Sequence, residues 1–272
     1  MECKTCGNDH PESYCPACGE KAFNPKQLSL KHFVEETFEG FIHFDSKFFR
    51  TVKTLITKPG QLSLNYTQGR RVLYMKPIQF FLVVNLLFFI FAITNMYSLP
   101  LYNYTTYTPF TKFNTVHIVN DLLIKTKLSR PVYEQIFDEK IKGLSKELIF
   151  LFVPLYGCVF ALLFYRKKQF FVEHLVFATH FCAFILLLTL AGFYLLTLPY
   201  ALIYGAGYSA NYDDISSLLI EIIIAVYAGV AIRRFYQTGI IWTVITSLII
   251  GLTFFPFIQI YRMILFFKII YF

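Results

Sequence analysis

The chain has 272 residues, of which 56% are hydrophobic and only 15% are charged, and its formal net charge at pH 7 is +8. Soluble domains carry roughly a quarter charged residues, and a water-soluble globule of this size could not withdraw so much apolar surface from water. The composition therefore excludes a soluble enzyme, a disordered chain and a secreted disulfide scaffold, and it predicts a protein embedded in lipid.

Two cysteine pairs near the start of the chain have the spacing C-x2-C-x8-C-x2-C, and a glycine follows the second cysteine of each pair. Two such turns supply four soft thiolate ligands, which is typical of a closed tetrahedral zinc site. Zinc would also provide the folding free energy that a segment of about twenty residues lacks. We predict a structural zinc ribbon over residues 1–22, with a redox dithiol or two disulfides as the alternatives. Its ligands would be Cys3, Cys6, Cys15 and Cys18.

The ribbon is expected to lie in the cytosol, because the first twenty residues contain no apolar signal core and cytosolic thiols stay reduced. Lys4 and Lys21 are its basic residues, and they form too weak a positive footprint for nucleic acid. Since four cysteines complete a tetrahedral ligand set, His10 is not expected to bind the metal. The site is then structural and has no open position for a substrate.

Residues 25–75 are predicted to form two or three short amphipathic helices between the ribbon and the first apolar run. Ser29 can cap the first of them, and Pro59-Gly60 ends the second. Their apolar faces with basic residues beside them suit an anionic bilayer surface, and packing on the membrane helices is an equal alternative. The candidate contacts to lipid headgroups are Arg70, Arg71 and Lys76. The plainer interpretation of these cations is that they anchor the topology.

Five apolar runs are predicted as membrane spans when the sequence is taken in windows of about twenty residues. Lipid cannot satisfy backbone polar groups, so continuous runs favour an all-α polytopic membrane bundle over a barrel of alternating strands. The membrane domain is predicted over residues 76–272. Its spans lie near residues 77–95, 148–165, 170–199, 215–232 and 239–260. The tail 263–272 is too short to span and is expected at an interface or packed on the bundle.

Basic residues beside the spans predict the orientation. Arg166, Lys167 and Lys168 join spans two and three, and Arg233 and Arg234 join spans four and five. The link between spans three and four has no basic residue. This pattern places the amino terminus inside and the carboxyl terminus outside, so that the helical segment 97–147 is extracytoplasmic despite its lysines.

Three ionisable residues stand out at membrane depth, where an uncompensated charge is costly. Glu173 and His180 are seven residues apart at the start of the third span and share one helical face, and Glu221 interrupts the fourth span. A carboxylate and a histidine on one stripe could relay protons or bind a cation. Alternatively, Glu173 lies in the headgroup layer and His180 is hydrogen-bonded inside the bundle.

The two CxxCG pairs, the stretch FFRTVKTLITKPGQLSLNYTQGRRVLYMKPIQFFLVVNLLFF and the later VEHLVFATHFCAF resemble a bacterial family of uncharacterised membrane proteins. Members of that family have an amino-terminal four-cysteine zinc ribbon and a domain of unknown function. The resemblance implies a multi-pass protein of the bacterial inner membrane and no known reaction. The five-span layout behind a cytosolic region is more loosely similar to the Yip family, which implies a role in membrane organisation.

The sequence contains no serine-hydrolase elbow, P-loop, zinc-protease motif or dinucleotide-binding glycine pattern. The chain is therefore predicted to be a non-enzymatic scaffold or adaptor. Its zinc ribbon would dock a cytosolic or membrane protein partner, and homo-oligomers are compatible with that role. A transporter or channel-like protein that uses Glu221, His180 and Glu173 is the alternative, and a lipid-modifying membrane enzyme comes third.

Overall fold

The computed structural model describes residues 2–21, 47–92, 97–167, 170–204 and 210–271. Within these ranges the chain is helical apart from turns and two isolated β-bridges in the cysteine-containing segment. An all-α membrane bundle that follows a small cysteine cluster is thus confirmed as the fold class. The contacts divide the chain into two compact units, residues 1–91 with 151–252 and residues 92–150 with 253–272.

The helices of both units are numbered in chain order. They are α1 Lys47–Thr57, α2 Gln61–Thr67, α3 Pro77–Phe91, α4 Leu101–Thr106, α5 Thr108–Thr111, α6 Thr115–Thr126, α7 Arg130–Glu147, α8 Phe152–Phe164, α9 Phe171–Gly192, α10 Leu198–Tyr204, α11 Ala210–Tyr236 and α12 Ile240–Tyr271. A 3₁₀ turn over Leu148–Leu151 joins α7 to α8, and a π-helical stretch over Phe193–Thr197 joins α9 to α10.

Helix α9 is the central element of the first unit. Every residue from Val172 to Leu186 is buried, whichever way its side chain points. A helix that is apolar all round is expected to be enclosed by other elements, and α9 packs against α1, α2, α3, α8 and α11. Its few polar side chains are therefore held inside protein rather than in lipid.

The elbow between α1 and α2 packs on the bundle, which is one of the two arrangements predicted for the connector. Helix α1 buries Phe48 and Leu55, and the hydroxyl of Tyr227 in α11 donates to the carbonyl oxygen of Leu55 at 3.0 Å. The opposite face of α1 stays exposed, with Phe49 75% accessible. Helix α1 thus has an inner face on the bundle and an outer face that carries basic residues. The first predicted connector helix, with its cap at Ser29, lies outside the described residues.

The helical bounds differ from the predicted spans in three places. Among the residues that the structure describes, four helical runs are long and apolar enough to cross a membrane: Arg130–Phe164, Phe171–Ile203, Ile215–Tyr236 and Ile240–Tyr271. The first predicted span, near 77–95, contains a helix of 15 residues, which measures about 22 Å against a hydrocarbon core of about 30 Å. The second begins earlier than residue 148, because α7 continues through the 3₁₀ turn into α8.

The third difference concerns the tail, which is the end of a helix of 32 residues and not a separate short segment. The fifth span is predicted to end near residue 260, with the tail at an interface or packed on the bundle, because ten residues are too few to span. The helix continues because Tyr261, Leu265 and Phe266 are buried in the second unit. Packing of these side chains outweighs both the cost of the charged Arg262 and the missing backbone N–H of Pro256, which also lies inside this helix.

The second unit has an aromatic core of its own. The ring of Tyr104 stacks on Phe266 at 5.0 Å between centroids, and Phe137 contacts both rings. Tyr104 also donates from its hydroxyl to the carbonyl oxygen of Arg262 at 3.1 Å, and the Asp138 carboxylate accepts the N–H of Leu101 at 2.8 Å. The segment 97–147, which was predicted to be helical, is therefore largely helical and is tied to the last turns of α12.

The π-helical stretch between α9 and α10 has a local cause. Pro199 lacks a backbone N–H, and its ring excludes the carbonyl one turn earlier. The backbone hydrogen bonds shift there from partners four residues apart to partners five residues apart, and the N–H of Leu198 donates to the carbonyl oxygen of Phe193. Such shifts keep a long apolar helix continuous where a proline would otherwise break it.

Candidate metal centre and polar residues of the bundle

The cysteine-containing segment consists of two turns of the same construction, offset by twelve residues. In the first turn Gly7 donates its N–H to the carbonyl oxygen of Cys3, and in the second Gly19 donates to Cys15. Both glycines have left-handed backbone angles, with φ of 76° and 73°, which glycine adopts without strain. Each CxxCG turn therefore closes tightly and directs its two thiols to the same side.

The four sulfur atoms converge on one point. All of them lie within 4.8 Å of one another, and the pairs Cys3–Cys18 and Cys6–Cys15 are each 3.5 Å apart. Tetrahedral zinc with Zn–S bonds of about 2.3 Å requires sulfur–sulfur separations of about 3.8 Å. All four cysteines are free thiols, so the two-disulfide alternative is not the arrangement seen. The donor set fits a tetrahedral metal ion.

The electrostatics of the four thiols also fit a cation. Burial raises the pKa of Cys15. Hydrogen bonds from the backbone N–H groups of Cys18 and Ala17, together with those of the neighbouring sulfurs, outweigh that effect and lower the pKa to about 7. For Cys18 the N–H of Glu20 lowers the pKa, while burial and the three neighbouring sulfurs raise it to about 12. Four thiolates cannot all form side by side without positive charge between them. A divalent ion would supply that charge.

The ribbon is joined to the helical bundle by the carboxylate of Glu20, which is 5% exposed. Its Oε2 accepts hydrogen bonds from the Thr5 hydroxyl at 2.7 Å, the Arg71 N–H at 2.9 Å and the Val72 N–H at 3.0 Å. The carboxylate thus links the first cysteine turn to the loop before α3. At the equivalent position of the first turn stands the exposed Asn8.

Sequence reasoning did not identify Glu20. It resembles any acidic residue beside a cysteine pair, and its partners are 51 and 52 positions away in the chain. One signal was available. The twelve-residue offset pairs Glu20 with Asn8, so the repeat differs there by a charge.

We expect Glu20→Ala to release the ribbon from the bundle, because three hydrogen bonds to a charged acceptor are lost together. Each such bond contributes about 1.5–3 kcal/mol. Hydrogen exchange of a peptide covering residues 69–74 should speed up by at least about tenfold, which corresponds to ~1.4 kcal/mol.

The matched control for that variant is Asn8→Ala, at the equivalent and exposed position. It should leave exchange of the same peptide unchanged, and both variants should keep their metal. If this peptide exchanges hydrogen at the same rate in Glu20→Ala as in the unaltered chain, Glu20 does not attach the ribbon to the loop before α3.

The candidate lipid contacts differ in their surroundings. Arg70 is exposed. Arg71 folds back on α2, with its Nε donating to the carbonyl oxygen of Tyr66 at 3.2 Å and its guanidinium 4.4 Å from that ring's centre. Lys76 is half-buried beside α3. Arg70 is the member of the three that faces outward.

The three ionisable residues of the third and fourth spans have separate environments. Glu173 accepts the backbone N–H of Phe170 at 3.2 Å and so caps the start of α9. His180 is buried, and its Nδ1 lies 2.9 Å from the Oγ of Ser63 in α2. Glu221 is half-buried, with no hydrogen bond or ion pair to another residue in the described ranges. No hydrogen bond among described residues joins one of these three side chains to another.

A further polar contact in α9 was not predicted. His174 Nδ1 lies 2.9 Å from the hydroxyl of Tyr236 at the end of α11, and the two rings stack. Both side chains are buried. A histidine among apolar residues is satisfied here by a tyrosine 62 positions later, which no local pattern indicates.

We expect Ser63→Ala to weaken the attachment of α2 to α9, because His180 would lose its partner in a buried site. Hydrogen bonds between membrane helices contribute about 0.6 kcal/mol on average and up to about 1.7 kcal/mol. The midpoint of unfolding in detergent should therefore fall by a small but measurable amount. Thr126→Ala, at an exposed hydroxyl that bonds within its own helix, serves as the control and should not shift the midpoint.

Comparison with known proteins adds one match. Residues 45–89 match a family model described as "Protein of unknown function (DUF3667)". That stretch covers α1, α2 and most of α3. No curated protein matches the chain, and no solved structure does. The looser likeness to the Yip family stays a prediction.

Proposed function

We propose that this chain is a non-enzymatic scaffold or adaptor of the bacterial inner membrane, with a zinc ribbon that docks a protein partner in the cytosol. The observation that carries the proposal is the Glu20 carboxylate, which holds the ribbon on the loop at residues 71 and 72. A ribbon tethered loosely would present its surface in many orientations. One fixed by a buried carboxylate presents a single surface to a partner.

Zinc is the ion we assign to the four thiolates. It prefers sulfur ligands and tetrahedral geometry, and it has no redox chemistry that would endanger a cytosolic fold. Its role would be structural, because four cysteines leave no position for water or substrate. This chemistry favours a binding module over a metalloenzyme.

The proposed orientation rests on the basic residues at three positions along the chain. Arg70 precedes α3, Arg166 and Lys167 follow α8, and Arg233 and Arg234 end α11. Positive residues concentrate on the cytoplasmic side of membrane proteins. The ribbon would share that side, because Glu20 binds the loop that contains Arg71.

The surface offered to the partner is the segment that joins the two cysteine turns. Residues 11–14 are all exposed, and Tyr14 is 56% accessible. Exposed tyrosine is favoured at protein interfaces because its ring is large and rigid and carries a polar group. We expect Tyr14 to be an anchor of the docking contact.

A photo-crosslinking amino acid at position 14 tests the proposal in living cells. A discrete protein adduct should form, and it should disappear when Cys15→Ser unfolds the ribbon. The same crosslinker at Tyr102, which is exposed in the second unit, should not give that adduct. An adduct that survives Cys15→Ser, or crosslinking to lipid alone, would overturn the adaptor function.

A second candidate function, a transporter or channel-like protein, is favoured by one observation. Glu221 lies within a membrane span without a hydrogen bond or ion pair in the described part of the chain. Charged residues at that depth commonly face a water-filled path or a bound ion.

Water access to position 221 separates the two functions. In a Cys158→Ser background, Glu221→Cys should react with a membrane-impermeant maleimide if the residue lines an aqueous path. Ile222→Cys, beside it and 51% exposed, should not react if it faces lipid. If neither introduced cysteine reacts with the maleimide, position 221 does not line an aqueous path. That result would exclude the transporter function and favour the adaptor function.

A further inference from the structure

A groove runs along the outer surface of the first unit between α11 and α12. Its volume is about 320 Å³, at the lower end of the range for ligand sites, about 300–1,000 Å³. Small residues form the floor: a side chain at Gly229 would meet Ser247 at 3.2 Å. The walls are apolar and exposed. They are formed by Val226, Val230, Val244 and Leu248.

One end of the groove carries a cation. Arg233 is exposed and lines the groove one turn beyond Val230, where α11 is about to end. It makes no hydrogen bond or ion pair with the residues that the structure describes. Its neighbour Arg234 is different, because it donates from Nη1 to the carbonyl oxygen of Pro59 at 2.7 Å. Of the two adjacent arginines, one is thus engaged in the fold and the other is available to a ligand.

We propose that this groove binds one acyl chain of an anionic phospholipid, with the lipid phosphate on Arg233. The apolar walls suit a hydrocarbon chain, and they belong to two helices that are long enough to span the membrane. The cation stands at a helix end, where lipid headgroups lie, and guanidinium binds phosphate through parallel hydrogen bonds. Charge and shape together therefore favour a lipid. This proposal does not depend on the adaptor function.

A helix from a second copy of the chain is a poorer occupant. A helix with its side chains is about 10–12 Å wide, whereas the floor of the groove is formed by helices that approach closely at Gly229 and Gly251. A second copy would also have to offer a negative group to Arg233 at the membrane surface. A phospholipid brings that group and a narrow chain together.

A tryptophan placed in the wall of the groove reports on its occupant. The native Trp242 is not one of the residues that line the groove, so the reporter chain carries Trp242→Phe together with Leu248→Trp, at a lining position that is 55% exposed. Bromine atoms on acyl chains quench tryptophan that they touch. The purified full chain would be reconstituted in bilayers of phosphatidylglycerol and phosphatidylcholine in which one or the other lipid is brominated. Comparison of the two arms gives the relative affinity for the anionic lipid.

We expect phosphatidylglycerol to be preferred by about five-fold, the effect of one basic residue near an anionic headgroup. Arg233→Gln should reduce the preference to near unity, and Arg233→Lys should retain most of it. Lys53→Gln, which removes an exposed cation of α1 outside the groove, should leave the preference unchanged. Ser247→Leu should fill the floor and lower quenching by either lipid.

The proposal would be overturned by the absence of a preference in the reporter chain, by a preference that survives Arg233→Gln, or by quenching that is unaffected by Ser247→Leu. Quenching that decreases as the protein-to-lipid ratio rises would indicate that a second copy covers the groove, which would also overturn it.

Discussion

Cys15→Ser is expected to remove the metal from the ribbon and to unfold it, while the helical bundle remains inserted. Binding of a structural zinc ion stabilises small domains by about 10–16 kcal/mol at neutral pH, and a segment of this size has no hydrophobic core to replace it. Metal analysis of the purified chain should show one zinc ion before the change. After it, the ion should be lost to a mild chelator.

The same variant should also expose the loop before α3. Cys15 donates its N–H to the carbonyl oxygen of Glu20 at 2.7 Å, so that the second turn positions the carboxylate that binds residues 71 and 72. Exchange of those amides should rise as it does in Glu20→Ala, although that variant retains its metal. Cys158→Ser, at an exposed cysteine of α8, should change neither metal content nor exchange. Full zinc content in Cys15→Ser would contradict the assigned ligand set.

Gly60→Ala is expected to destabilise the elbow between α1 and α2 more than any other single methyl group added to the described glycines. Gly60 has a φ of 79°, which costs an L-residue about 1–2 kcal/mol. A side chain there would also lie 2.5 Å from the carbonyl oxygen of Ala231 in α11, and overpacking adds about 1–3 kcal/mol. Because the obstacle is backbone, a rotamer change cannot relieve it.

Unfolding in a denaturing detergent measures this effect as a shift of the midpoint. The expected loss of stability in Gly60→Ala is about 2–5 kcal/mol, the sum of the two costs. Gly143→Ala is the matched control, because that glycine lies in α7 with nothing within 4 Å of an added side chain. It should be neutral or stabilising by up to about 1 kcal/mol. A Gly60→Ala chain as stable as the original would show that α11 moves away without cost.

Local patterns predicted the parts of this protein that depend on neighbours in the chain. The spacing of the cysteine pairs was sufficient to propose a metal cluster, and the sulfur positions agree with it. Long apolar runs were sufficient to find the membrane helices, because hydrocarbon leaves the backbone almost no other structure. The boundaries were less accurate. The last span was predicted to end near residue 260, whereas burial of Tyr261 and Leu265 carries its helix on to Tyr271.

Contacts between distant residues could not be predicted in this way. A buried carboxylate, a buried histidine and one of two adjacent arginines each have a partner far along the chain, at Val72, Ser63 and Pro59. Nothing in the flanking residues distinguishes Arg234, which donates to Pro59, from Arg233, which has no hydrogen bond or ion pair in the described part of the chain. Which of the two arginines donates to the carbonyl oxygen of Pro59 depends on which face of α11 packs against the elbow between α1 and α2.

Composition and spacing alone determined that this is a multi-pass helical membrane protein with a four-thiol headpiece, because solvent and ligand geometry impose those features on any chain with these residues. Only the tertiary structure decided that the headpiece is attached to the bundle through Glu20, that α2 reaches the buried His180, and that a groove between two spans ends at Arg233, which has no hydrogen bond or ion pair to another described residue. Each of these depends on helices packing in one particular rotation, and packing is a property of the whole fold.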